Sequence, residues 1–199
     1  MQRAGRTANW AWRAQRVAAA CALALLAACA GPRSSEAPLR VYDFGIEAPA
    51  AKLAGVRIGQ VRAAAPLDST DMLYRLAYRN PAEVLAFTQS RWAAPPAELL
   101  RRRFSRAAEG AAGSACLLEL ELLEVSQVFT ATDSSEALLE VRAWLSFGGA
   151  RIAERTLRVS QAGAGGNAAS GAGALTVAVD RGIAELARWS ALQGRCSGS

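Results

Sequence analysis

The 199-residue chain contains no histidine at all and a single lysine, Lys52. The first absence excludes His-based triads, the common His-containing zinc sites and the usual acid/base group near neutral pH. The second leaves a Ser-Lys mechanism only Lys52, which lies in a loop without a matched serine motif. G-x-S-x-G, Walker A and C-x-x-C are absent, and no G-x-G-x-x-G opens a helix after a strand. No catalytic residue, metal ligand or cofactor is therefore expected, and the chain reads as one that binds and holds.

Long apolar runs are missing too. A spanning helix needs roughly 20 apolar residues to cross ~30 Å of hydrocarbon. Here the N-terminal uncharged stretch runs only from Val17 to Gly31 and stops at Pro32. Ahead of it stand Arg3, Arg6, Arg13 and Arg16 with no acid, an n-region followed by the h-region "VAAACALALL". The order Leu26-Ala27-Ala28-Cys29 resembles the bacterial lipobox, in which the Cys thiol is acylated and becomes the first residue after cleavage. Residues 1–28 are then a lipoprotein signal peptide, Cys29 the lipid attachment point, and residues 29–38 an acylated N-terminus and tether. An ordinary secretory signal and an uncleaved anchor are the alternatives, and Cys21 is a weaker lipobox candidate because Ala18 stands where the aliphatic residue belongs.

Removing the signal changes the rest of the reading. The whole chain carries 23 basic and 17 acidic residues, net +6. Four of those arginines belong to the signal, so the remainder holds about +2, too little for the dense basic face of a nucleic-acid binder. Residues 39–199 suit a single domain. Cys116 and Cys196 form an even pair in an export compartment that permits disulfides. They are a candidate bond; the other reading is a buried free Cys116 at a strand start and Cys196 in a frayed tail.

The pattern along the domain predicts strands, a helix, a three-strand meander and a second helix. "LRVYDFGI" and Val56 to Ala64 alternate as strands, and Met72 to Tyr78 and Glu83 to Ser90 flank an Asn80-Pro81 turn. Pro95-Pro96 opens a helix to about Glu109, with Leu99, Leu100, Phe104 and Ala107 at helical spacing. Its "RRRFSR" is the most basic spot of the domain. Arg101, Arg102 and Arg106 fall opposite Leu100 and Phe104, so a solvated face explains them better than a phosphate or lipid headgroup contact. "ACLLELELLEVSQVFT" alternates until its phase slips near Leu123, where a bulge is expected. Glu140 with Arg142, and Glu154 with Arg158, share faces of the next two strands and read as cross-strand ion pairs on a wet side. Gln161 to Gly173 reads as a loose Gly/Ala/Ser loop. Leu175, Val179, Ile183, Leu186 and Trp189 then form the stripe of a last helix. The fold class is α+β: a mainly antiparallel sheet with two helices packed on one face.

From "LRVYDFGI" to "LARWSA" the chain resembles the ABC-type transport auxiliary lipoprotein family, the PqiC-like lipoproteins. "YDFG", "VRIGQVRAAAPLDSTDMLYR" and "FTQSRWAAPPAELLRRRF" carry the match, most specifically "SRWAAPP" with Trp92, Pro95 and Pro96. Those three residues read as a structural corner between sheet and helix. The resemblance implies a role beside an ABC transporter whose periplasmic component is an MCE-domain protein, moving lipids or other hydrophobic compounds between inner and outer membranes. It implies a homo-oligomeric ring as one assembly. Ala30, not Asp, follows Cys29, which by analogy with enteric lipoprotein sorting favours the outer membrane over inner-membrane retention. The competing readings are an envelope-assembly interaction lipoprotein without a transport role, and a direct lipid carrier.

Overall fold

The computed structural model describes residues 38–196 except Glu109 and Ala112. The signal peptide, Cys29 and nearly all of the tether lie outside the described residues. Seven strands form one sheet: β1 (Arg40–Tyr42), β2 (Arg57–Ala63), β3 (Asp71–Leu76), β4 (Leu85–Trp92), β5 (Cys116–Phe129), β6 (Ser135–Phe147) and β7 (Ala150–Ala162). Two helices, α1 (Pro96–Ala107) and α2 (Ala168–Ala191), complete the α+β fold.

The long β5–β6–β7 meander is antiparallel throughout and dominates the sheet. Its alternation buries one row per strand, and Leu118, Leu120, Leu139, Val141 and Leu145 are each 0% exposed. Burying each such side chain contributes on the order of 1.5–3 kcal/mol. Gly148 and Gly149, with φ of 56° and 87°, turn β6 into β7, because both central residues of such a two-residue hairpin need positive φ. The rest of the sheet is mixed. β3 pairs antiparallel with β4, whereas β1 pairs parallel with β4, and both β2 and β3 pair parallel with β5. The order is β1-β4-β3-β5-β6-β7, with β2 beside the first half of β5 on the edge that β3 shares.

The first strand is shorter than its alternation predicts. Asp43 Oδ1 accepts the Gly45 amide at 2.8 Å, which turns the chain after Tyr42 and buries Phe44. β3 ends at Leu76 and β4 begins at Leu85, each two residues further from the Asn80-Pro81 turn than the predicted strand ends at Tyr78 and Glu83. Arg79 and Asn80 both donate their amides to the Leu76 carbonyl, and Asn80 Oδ1 accepts from Ala82, so the turn uses more chain than Asn-Pro alone suggests.

α1 starts at Pro96, with Glu98 in its first turn. α2 begins well inside the segment predicted to be a loose loop. β7 reaches Ala162, and Asn167 caps the helix by accepting the Ser170 amide at 3.0 Å, leaving a short connection between them. The small residues there serve packing. A Cβ on Gly171 would stand 2.3 Å from Gln127 Oε1, so glycine lets the helix lie this close to β5 without displacing the Gln127 side chain. α2 crosses β5, β6 and β7 while α1 covers β2 and touches β5, and one continuous core joins both helices to the same sheet face.

Candidate functional site

Among the described residues, no helix covers the sheet face turned away from α1 and α2. Along it, Arg142 pairs with Glu121 at 3.2 Å and with Glu154 at 3.8 Å, and Arg158 pairs with Glu140 at 3.2 Å. The pairs Arg142–Glu154 and Arg158–Glu140 join the residues read as cross-strand ion pairs from the alternation, and Glu121 is an added partner. The guanidinium carbons of Arg62 and Arg151 lie 5.6 and 5.1 Å from the Trp144 ring centroid, a cation–π arrangement that covers most of the indole. Leu138, on the same face, is 7% exposed.

The geometry of this face follows from β5. Its edge pairs with β2 over Leu117–Leu122 and with β3 over Gln127–Phe129. Between those ladders the register to β6 shifts from Leu122 to Glu124, leaving Leu123 as the extra residue. Two hollows open there. One, of about 220 Å³, is lined by Ala64–Leu67, Leu73 and Val84; the other, of about 330 Å³, by Ala77, Pro81, Val128 and Leu138. Leu123 and the ion pair Arg75–Glu124, 2.7 Å apart, border both and form the ridge between them. Arg75 also reaches the Pro81 carbonyl at 3.4 Å, which ties the β3–β4 turn to the ridge.

Charge on the rim is uneven. Glu121, Glu124, Glu136 and Glu140 line the hollows against Arg75 and Arg158. Glu124, Glu140 and Glu121 have arginine partners, whereas Glu136 has no ion-pair partner among the described residues. Among the described residues no group of three His, Cys, Asp or Glu side chains could hold a metal ion. What the arrangement offers is contact area, two apolar depressions and an acidic rim.

The residues singled out by sequence lie elsewhere. Cys116, at the start of β5, is bonded to Cys196, with Cα atoms 5.7 Å apart, and this fastens the C-terminal end to the sheet. Trp92 ends β4, is 2% exposed and meets Phe44 at a ring separation of 5.2 Å. The chain then passes through Pro95 into Pro96, the first residue of α1, so Trp92 fills the corner between sheet and helix. Neither pair approaches the hollows. The phase slip near Leu123 is the one sequence signal that points to them; nothing in the local pattern marks Arg75 or Glu136.

The arginine run divides by rotation about α1. Arg101 and Arg102 are exposed and share Glu98, and Arg106 donates to the Gly45 carbonyl at 2.8 Å. The hydrogen bonds of Arg101 and Arg102 to Glu98 hold its carboxyl down at about 2. Arg103, by contrast, is 4% exposed. It sits four residues after Leu99 and three after Leu100, on the apolar stripe itself, and that spacing is the signal by which it could be found.

Among the described residues, no helix is long and apolar enough to cross a membrane. No protein-family model matches the chain, and no curated protein matches it in sequence. Its fold is found in solved structures. One is protein XCC0632 of Xanthomonas campestris, of family DUF330, with a TM-score of 0.67 and 20% identity over 78% of this chain and 96% of that one. Another is an uncharacterized protein with a TM-score of 0.59 and 14% identity over 76% of this chain and 98% of that one. At these identities the likeness is one of fold, and the fold is that of the DUF330 protein.

Proposed function

We propose that the chain is a membrane-anchored periplasmic lipoprotein that acts by docking, as an auxiliary component of an ABC-type, MCE-associated transport system for lipids or other hydrophobic compounds, and that it is not an enzyme. The observation that carries the docking role is the sheet face that no helix among the described residues covers and that presents apolar depressions ringed by charge. The resemblance carried by "SRWAAPP", with Trp92 buried where the sheet hands over to α1, is what supports the transport assignment. Cys29 supplies the anchor in this reading. A single acyl chain binds membranes only marginally, so lasting attachment rests on the several chains of a bacterial lipoprotein cysteine. The outer membrane, facing the periplasm, is the proposed location.

Direct lipid carriage is the weaker reading, because both hollows are open on the surface and the smaller falls below the ~300–1,000 Å³ of enclosed ligand pockets. Affinity purification of the tagged protein from its own envelope tests the proposal. Recovery of an MCE-domain protein together with a transport ATPase is the expected result. Recovery of wall-synthesis or secretion-pore components instead would replace the transport role with envelope assembly. The anchor has its own test: Cys29→Ser should abolish fatty-acid labelling and release the protein from membranes.

A further inference from the structure

We infer that the paired hollows on the open sheet face receive an amphipathic segment of a protein partner that carries a lysine or arginine. This rests on the docking reading above and states what kind of partner docks. The ridge formed by Leu123, Arg75 and Glu124 splits the groove, so a segment crossing it places one apolar side chain in each depression. The floor is apolar, with Leu73 on one side and Val128 and Leu138 on the other. The rim selects the charge. Three of the four glutamates are paired with Arg75, Arg142 and Arg158, and Glu136 stands at the larger hollow without an ion-pair partner among the described residues. A cationic side chain of the partner satisfies Glu136, whereas an acidic side chain or an anionic headgroup placed there would meet its unpaired charge. The ridge is well fixed for this task, since Arg75 and Glu124 are only 24% and 17% exposed and Arg75 is also held by the Pro81 carbonyl.

Random phage-displayed dodecapeptides selected on the purified full-length protein in detergent provide the probe, and the winning peptide is then synthesised for titration. The expected winners carry two apolar positions and at least one Lys or Arg. Leu123→Asp and Glu136→Lys should each weaken the peptide ~10-fold or more, as loss of a buried apolar anchor or reversal of a partner charge does. Val177→Asp, on the exposed side of α2, should leave it unchanged. Glu136→Gln, which adds no charge, guards against a folding defect, and far-UV circular dichroism confirms the fold of each variant. Winners without basic residues, or winners whose affinity survives both groove variants, overturn the inference. So does flotation of the Cys29→Ser protein with phosphatidylglycerol vesicles that is lost in Leu123→Asp, which would make the groove a lipid site. In the envelope purification, loss of the transporter partners from Glu136→Lys supports the groove. Their retention overturns it and leaves the docking role standing.

Discussion

Arg103 on α1 and Asp180 on α2 form a two-bond ion pair, with Nε to Oδ1 and Nη2 to Oδ2 both at 2.7 Å. The remaining nitrogen, Nη1, donates to the carbonyls of Phe44 and Glu47 at 2.6 and 2.8 Å. One buried guanidinium thereby joins both helices to the segment after β1. Replacing Arg103 with Leu should cost about 2–4 kcal/mol, since buried carbonyls lose their donor and Asp180 its partner. Asp180→Asn should cost less, because Asp180 is 35% exposed and the carbonyl bonds survive. Urea denaturation of the two variants tests this order, and equal losses would contradict it.

Gly171 and Gly173 lie two residues apart on α2 and should respond oppositely to alanine. A Cβ at 171 meets Gln127 Oε1 at 2.3 Å and Cδ at 2.8 Å, so Gly171→Ala should destabilise by about 1–3 kcal/mol. Nothing lies within 4 Å of a Cβ at 173, where alanine should stabilise by about 0.5–1 kcal/mol through helix propensity. Adding Gln127→Ala to Gly171→Ala should recover part of the loss. Thermal melts of the three variants and the double mutant read the coupling directly.

The Cys116–Cys196 bond closes a loop of sequence separation 80. Removing both cysteines as alanines should cost roughly 2–5 kcal/mol, since the unfolded chain regains the freedom the bond denies it. Comparing melts with and without reductant checks this. Reductant should lower the transition of the natural protein and leave the double variant unchanged.

Glu98 gives a pH dependence with a defined sign. Arg101 and Arg102 hold its carboxyl at about 2 against an ordinary value of 4.5, so the folded state favours the charged form. The resulting stabilisation is fully present above about 4.5 and is lost as pH falls toward about 2. Being a surface cluster, it is worth no more than about 0–1 kcal/mol after solvent screening. Glu98→Gln should therefore be slightly less stable than the natural protein at neutral pH, and the two should converge near pH 2 in urea titrations. A gap that widens on acidification would refute the assignment.

Several features of the domain are written locally and were legible as such. Cys116 to Leu122 and Ala137 to Phe147 alternate with period two, and their strands follow because a pleated chain must send successive side chains to opposite faces. The slip at Leu123 marks the bulge for the same reason. The stripe from Leu175 to Trp189 fixes the inner face of α2. The start of that helix was not legible, because a run of Gly, Ala and Ser carries weak local preference; the cap at Asn167 and the room beneath Gly171 decide it.

By itself, then, the sequence determined most of the segments that are strands and helices and which of their faces are apolar, and it holds no histidine. Periodicity and composition are properties of neighbours along the chain. Only the tertiary structure decided that β2 and β3 share one edge of β5, that Arg103 rather than its neighbours is buried against Asp180, and that Arg75 and Glu124 raise a ridge between two hollows. Those are pairings between residues 49 to 77 positions apart, and no local pattern encodes the partner of a side chain that far along the chain.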